Sequence, residues 1–140
     1  LVRAENISNI SFTGFVSGRR KYEMLSSLDV LCAPSHQENF GMSIAEALLA
    51  GTPVIASRGT PWKALNTRRC GWWCGNDFSS LAAALENAFN LSPQERLAMG
   101  DRGRALVMET CAAPHAADRM KRLYRYLLGQ ETKPEFVYLS

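Results

Sequence analysis

The chain is poor in the residues that build metal centres. Its 140 residues include two histidines, His36 and His115, and four cysteines. Cys70 and Cys74 form a C-x3-C pair around "GWW", and neither histidine makes a paired motif with a cysteine. A zinc site needs about four ligands at metal spacing, so no metal and no cofactor is expected. The cysteines read as free thiols in a reducing, cytoplasmic setting, and Cys32, inside an apolar run, reads as a small hydrophobe. Long apolar runs are also lacking. None reaches the ~18 residues that argue for a membrane span, and no basic n-region leads into an apolar stretch as in a secretory leader. Excess charge is lacking too: 16 Lys and Arg against 13 Asp and Glu leave +3, too mild to argue for nucleic acid. The basic residues that gather late (Arg102, Arg104, Arg119, Lys121, Arg122 and Arg125) read as solvated faces of two helices. There is no internal repeat and no low-complexity segment. The chain opens "LVRAENISN" without a methionine and reads as a piece of something longer.

What is present is one domain's worth of chain with an ordinary hydrophobic fraction of 46%. "NISFTGFV" (9–16) reads as a strand ending in a turn. "RRKYEMLSSL" (19–28) places Tyr22, Leu25 and Leu28 at helical spacing. "DVLCAPS" (29–35) is a short apolar strand stopped by Pro34, and "VIAS" (54–57) is another. Between them "FGMSIAEALLA" (40–50) reads as a helix ended by Gly51. "RGTPW" has turn chemistry, "KALNTRR" one or two helical turns, and "CGWWCG" (70–75) a strand bracketed by glycines. Three helices follow. The first, 77–91, has Asp77 or Ser79 as cap and Leu81, Leu85 and Phe89 on one face. The second, 92–110, has a capping box of Ser92 and Glu95 with Pro93 at its first position. The third, 113–129, carries Met120, Leu123, Tyr124 and Leu127. Strands alternating with helices predict an α/β fold with a parallel sheet of about four strands. Residues 1–129 form the expected domain and 130–140 a tail, docked in extended form or partly disordered.

"PSHQENFGMSIAEALLAGTPVIAS" (34–57) carries two glutamates, Glu38 before the apolar helix and Glu46 inside it. In a parallel α/β sheet, ligands bind beyond the carboxyl ends of the strands, where "DVLCAPS" ends. The helix that follows offers N–H groups with no internal partner, which attract anions and above all phosphate. Asn39 is placed to cap that helix or to take a left-handed turn, and Gly41 lets a ligand approach the backbone. Glu38 then sits on the rim. Glu46, at ~100° per residue, points away from the core candidates Ile44 and Leu48. Two carboxylates flanking a phosphate-binding helix end suit a sugar-bearing nucleotide, because a carboxylate accepts two hydroxyl donors, as a ribose diol offers. Spacing alone argues nothing, since a pair eight apart is almost inevitable among thirteen acids. Singly, Glu38 reads as a loop charge and Glu46 as a solvated helix residue.

The same segment resembles the signature of family 4 of the retaining glycosyltransferases, which have the GT-B architecture: P-S, a glutamate, F-G, a second glutamate, then G-x-P-V-I-A-S. "ISFTGFV", "MLSSLDVLCAPS", "GTPW" with "CGWW", and "SPQERLAMGDRGRALV" extend the resemblance over roughly residues 7–129. It implies a Rossmann-like, partial GT-B C-terminal domain of bacterial type that binds a UDP-, GDP- or ADP-sugar. By that resemblance Glu46 binds the donor ribose, and Glu38, the catalytic candidate, contacts the transferred sugar. Backbone groups around Asn39, Phe40, Gly41 and Met42 face the distal phosphate or sugar. Gly14 to Val16 lies beside the base, and Gly59 and Thr60 lie near the donor. The chemistry implied is metal-independent transfer with retention, the diphosphate being neutralised by basic side chains and a helix dipole. Two departures from the pattern stand out. Asn39 stands where the family has glycine, and "GTPWKAL" puts Lys63 and Ala64 where many members carry a glutamate after the glycine turn. The family's preceding strands, its phosphate-binding Arg and Lys, and its N-terminal acceptor domain have no counterpart here. The chain alone is therefore expected not to transfer sugar, any membrane association is expected to come from absent parts, and exposed interface surface is expected to drive self-association. Two other readings stand beside the enzyme: a non-catalytic module binding a nucleotide or sugar phosphate, and a structural domain whose site is dead.

Overall fold

The computed structural model describes residues 8–111 and 113–138. Expectations that fall on residues 1–7, 112, 139 and 140 lie outside the described residues. The elements are α1 (Gly18–Ser26), β1 (Leu31–Ala33), α2 (Met42–Ala50), β2 (Val54–Ser57), α3 (Ala64–Thr67), β3 (Gly71–Cys74), α4 (Phe78–Phe89), α5 (Pro93–Thr110) and α6 (Ala113–Leu127).

The sheet is parallel with order β1-β2-β3. This is the α/β, Rossmann-like arrangement expected from alternating strands and helices. β2 lies in the middle and is buried along its whole length. Its side chains divide between two faces, as a pleated strand requires. Val54 and Ala56 enter one core with Ile44, Leu48, Leu65, Leu106 and Val107. Ile55 enters a second with Ala84 and Ala88 of α4. The result is three layers: α2 and α5 on one face, the sheet, and α4 on the other.

Close backbone approach builds the first face. A Cβ on Gly100 would lie 2.0 Å from the Gly51 carbonyl oxygen, and one on Gly103 would lie 2.7 Å from Leu48 Cδ2. These two glycines, one turn apart, let α5 settle on the end of α2. Arg104 completes the junction by donating from Nε to the Leu49 carbonyl at 3.1 Å, a free acceptor at a helix C-terminus.

The described sheet has three strands, not four. Residues 9–16 form no strand, and Ile10, Phe12 and Phe15 are exposed. Their β-branched and aromatic composition has no neighbouring strand to pair with, because among the described residues β1 pairs with β2 alone. On α4 the buried stripe runs through Ala84 and Ala88, with Leu81 and Leu85 partly buried, while Phe89 is exposed. α6 has no buried residue, and Met120, Tyr124 and Leu127 face outward.

Several late basic residues do more than face solvent. Arg102 Nε donates to the Arg69 carbonyl at 2.7 Å. The Arg119 and Arg122 guanidinium groups lie 4.7 and 5.5 Å from the Phe136 ring centre. Arg122 also pairs with Glu131 at 3.0 Å. Residues 130–138, which hold no helix or strand, are thereby docked against α6, with Pro134 buried.

Candidate functional site

Beyond the carboxyl ends of β1 and β2, the loop 34–41 and the turn 58–62 are stitched together. The Glu38 N–H donates to the Gly59 carbonyl at 2.9 Å. Ser57 Oγ donates to the Ser35 carbonyl. A Cβ on Gly59 would lie 2.2 Å from the His36 carbonyl oxygen, so the close stacking of loop on turn requires glycine there. Glu38 and Gly59, 21 apart in sequence, are thus neighbours, with the Glu38 side chain exposed on the rim.

The left-handed residue of this loop is Gly41, with φ +80°, and it is the N-cap of α2. Asn39 has no positive φ and caps nothing. This corrects both roles foreseen for Asn39 and has a physical reason. The chain reverses at the one residue without a Cβ, where an added Cβ would meet Ile44 Cδ1 at 2.9 Å and Trp62 Nε1 at 3.2 Å. The helix starts at Met42, two residues later than Phe40. Trp62, from "GTPW", is buried and donates its indole N–H to the Phe40 carbonyl. Its ring stacks at a tilt on Phe40, with centroids 5.5 Å apart. Among the described residues no protein acceptor takes the N–H groups of Asn39, Phe40, Gly41, Met42 or Ser43. They are free donors at and just before the positive end of α2.

Glu46 lies one turn into α2, on the side away from the buried Ile44 and Leu48. It lines a cleft of about 310 Å³ together with Ser43 from its own helix and Thr13 to Val16 from the segment before α1. Gly14 and Glu46, 32 apart in sequence, therefore share one wall-to-wall space. The apolar lining comes from Met24, Leu25 and Leu31. Lys21 of α1 reaches into the same cleft and puts its Nζ 2.5 Å from Glu46 Oε1. The hydrogen bond to the Glu46 carboxylate holds the Lys21 ammonium above its ordinary range, against the opposing effect of burial. Sequence reasoning missed Lys21. Its one signal was a cation on the face of α1 that also carries Leu25 and Met24, and nothing local ties it to a residue 25 positions away.

The remaining candidates separate. Met42 is well exposed and lies outside the cleft. Thr60 is buried, with both its N–H and its hydroxyl donated to the Ser57 carbonyl, at 3.0 and 2.8 Å, and its own carbonyl accepting from Trp73 Nε1 at 3.0 Å. Its polar donors are thus committed behind the turn and not aimed at a ligand. Among the described residues no three His, Cys, Asp or Glu side chains gather as a metal site. All four cysteines are free, and burial pushes the thiols of Cys32, Cys70 and Cys74 above their ordinary range. No helix among the described residues is long and apolar enough to cross a membrane.

Comparison with known proteins places the chain in a family and a fold. The family described as glycosyl transferases group 1 matches residues 2–106. The GDP-mannose-dependent alpha-(1-6)-phosphatidylinositol dimannoside mannosyltransferase of Mycobacterium tuberculosis is 33% identical over 62% of this chain and 23% of its own length. The MMP alpha-(1->4)-mannosyltransferase of Mycolicibacterium hassiacum is 30% identical over 93% of this chain and 32% of its own. The structure of sucrose-phosphate synthase from Thermosynechococcus elongatus superposes with a TM-score of 0.80 at 27% identity, over 93% of this chain and 33% of that one. The chain thus spans about a quarter to a third of the length of these relatives. It belongs to the glycosyl transferases group 1 family.

Proposed function

We propose that this chain is the donor-binding part of a glycosyltransferase that moves a sugar from a nucleotide-sugar to an acceptor with retention. The observation that carries the reading is the cleft shared by Gly14, Glu46 and Ser43, the last of these in the first turn of α2, whose leading N–H groups have no protein acceptor among the described residues. In this reading the base lies along Gly14 to Val16 against the apolar wall. The ribose hydroxyls donate to Glu46. The diphosphate meets these free N–H groups and the α2 dipole, which stabilise the charge that develops as the sugar–phosphate bond breaks. The diphosphate leaves with the electron pair of that bond, the acceptor oxygen forms the new bond to the sugar carbon and gives its proton to the departing diphosphate, and Glu38 on the rim contacts the sugar in transit. In this scheme the positive end of α2, rather than a metal, is this chain's contribution to neutralising the diphosphate.

The donor nucleotide is UDP, GDP or ADP. The name of the M. tuberculosis relative makes GDP-mannose the first donor to try. The acceptor site belongs to parts that this chain does not include, so the chain alone binds donor nucleotide without turning it over. Titration with UDP, GDP and ADP tests the reading. Glu46→Gln is expected to weaken binding by roughly 1–3 kcal/mol, the effect of impairing a hydrogen bond to a charged group. Unchanged affinity in that variant, or no binding by the wild type at millimolar nucleotide, counts against it. Binding without transfer, even when an acceptor domain is restored, would turn the reading toward a non-catalytic nucleotide-binding module.

A further inference from the structure

We infer that Lys21 is a positioning residue that fixes the Glu46 carboxylate and thereby sets the site's preference for a ribose over a deoxyribose. Among the described residues Lys21 and Glu46 are the ionisable side chains lining the cleft, which is otherwise walled by Ser43, Met24, Leu25, Leu31 and the 13–16 segment. Both are largely covered, their side chains retaining 30% and 20% of their exposure. A lone carboxylate on such a wall is free to rotate out to solvent. Lys21, held by α1, opposes that by donating to Oε1 at 2.5 Å. Glu46 Oε2 takes no hydrogen bond from the described residues, yet it is not sealed from solvent. One oxygen is thus anchored, and the other is left as a charged acceptor on a side chain that lines the cleft. Neighbouring hydroxyls arriving there find a preoriented partner, which spares the ligand the ordering of a free side chain. α1 and α2 are packed against each other, with Leu25 buried in the core shared with Ile44 and Leu48. The Lys21 backbone is therefore a rigid base for this contact.

The inference rests on the reading of the cleft as a nucleoside diphosphate site, and the test separates the two. Dissociation constants are measured on the chain for UDP, GDP and ADP and for their 2′-deoxy counterparts, in the wild type, Lys21→Met and Lys21→Arg. The ratio of the deoxy to the ribo constant is internal to each preparation and does not depend on the folded fraction. The wild type is expected to favour the ribonucleotide roughly tenfold or more, the scale of a hydrogen bond to a charged group. Lys21→Met is expected to bring the ratio to within about twofold of unity, and Lys21→Arg, which keeps the ion pair, to restore most of it. A wild type that binds no nucleotide overturns the cleft reading and this inference together. A wild type that discriminates, with Lys21→Met discriminating equally, overturns the positioning role alone. Tighter binding by Lys21→Met would also overturn it, because Lys21 would then compete with the ligand for Glu46.

Discussion

At the scale of single residues, Gly41 and Asn39 divide the work of one turn. Gly41 carries the left-handed backbone and the tight contact with Ile44 and Trp62. Gly41→Ala is expected to lose about 1–3 kcal/mol in chemical denaturation, combining left-handed strain with overpacking. Asn39→Gly relieves no strain and should shift stability by less than about 0.5 kcal/mol, as ordinary surface changes do. A large gain for Asn39→Gly would mean that the turn is strained at 39 after all. Asp77 gives a second test. Its carboxylate accepts from Ser79 Oγ, Ser80 Oγ and the Ser80 N–H, which hold it well below its ordinary value of 3.8. A depressed folded-state value means stabilisation that is fully present above the unfolded value and lost as pH falls through the folded one. The melting-temperature gap between wild type and Asp77→Asn should therefore be widest above about pH 4 and close progressively in stronger acid. A gap independent of pH would contradict the cap. The caps were legible in sequence, because Asp77, Ser92 and Glu95 act within three residues. Lys21 and the inward-turned Thr60 were not, since their partners are set by tertiary packing.

At the scale of elements, the contact of α2 with α5 is the one that depends most on absent side chains. Gly100→Ala places a methyl within 2.0 Å of the Gly51 carbonyl oxygen. The backbone must shift, at about 1–3 kcal/mol or more. Because Gly51 ends the helix that carries Glu46, the same variant should also weaken nucleotide binding, whereas a surface alanine on α6 should change neither. β3 shows a different device. Its outer edge at Trp73 is closed by the Asn66 side chain, which accepts from the Trp73 N–H at 2.8 Å and donates to its carbonyl at 3.0 Å. One amide thus takes the place of a neighbouring strand. The short strands 31–33, 54–57 and 71–74 were readable because each is an apolar run stopped by Pro, Gly or Ser. The segment 9–16 misled for a complementary reason: β-propensity describes a fit to a pleated surface and does not supply the surface.

At the scale of the whole molecule, the apolar side chains of residues 10–15 and of α6 stand exposed, and among the described residues the outer edge of β1 pairs with no strand. Surface of that kind favours association, so sedimentation should show concentration-dependent self-association. Substituting Phe12 and Phe15 by serine should reduce it without loss of helix content. The central claim is that ligand binds beyond the ends of β1 and β2, between Gly14 and Glu46. A second cleft of about 300 Å³, lined by Arg58, Asn66, Trp72 and Trp73 at the β3 edge, offers a direct alternative. Mapping backbone amide shifts by NMR while titrating GDP or UDP distinguishes them. The account predicts that the amides of 14–16, 39–43 and Glu46 move together and saturate at one affinity. Shifts confined to Asn66, Trp72 and Trp73, with residues 39–46 unmoved, would contradict it.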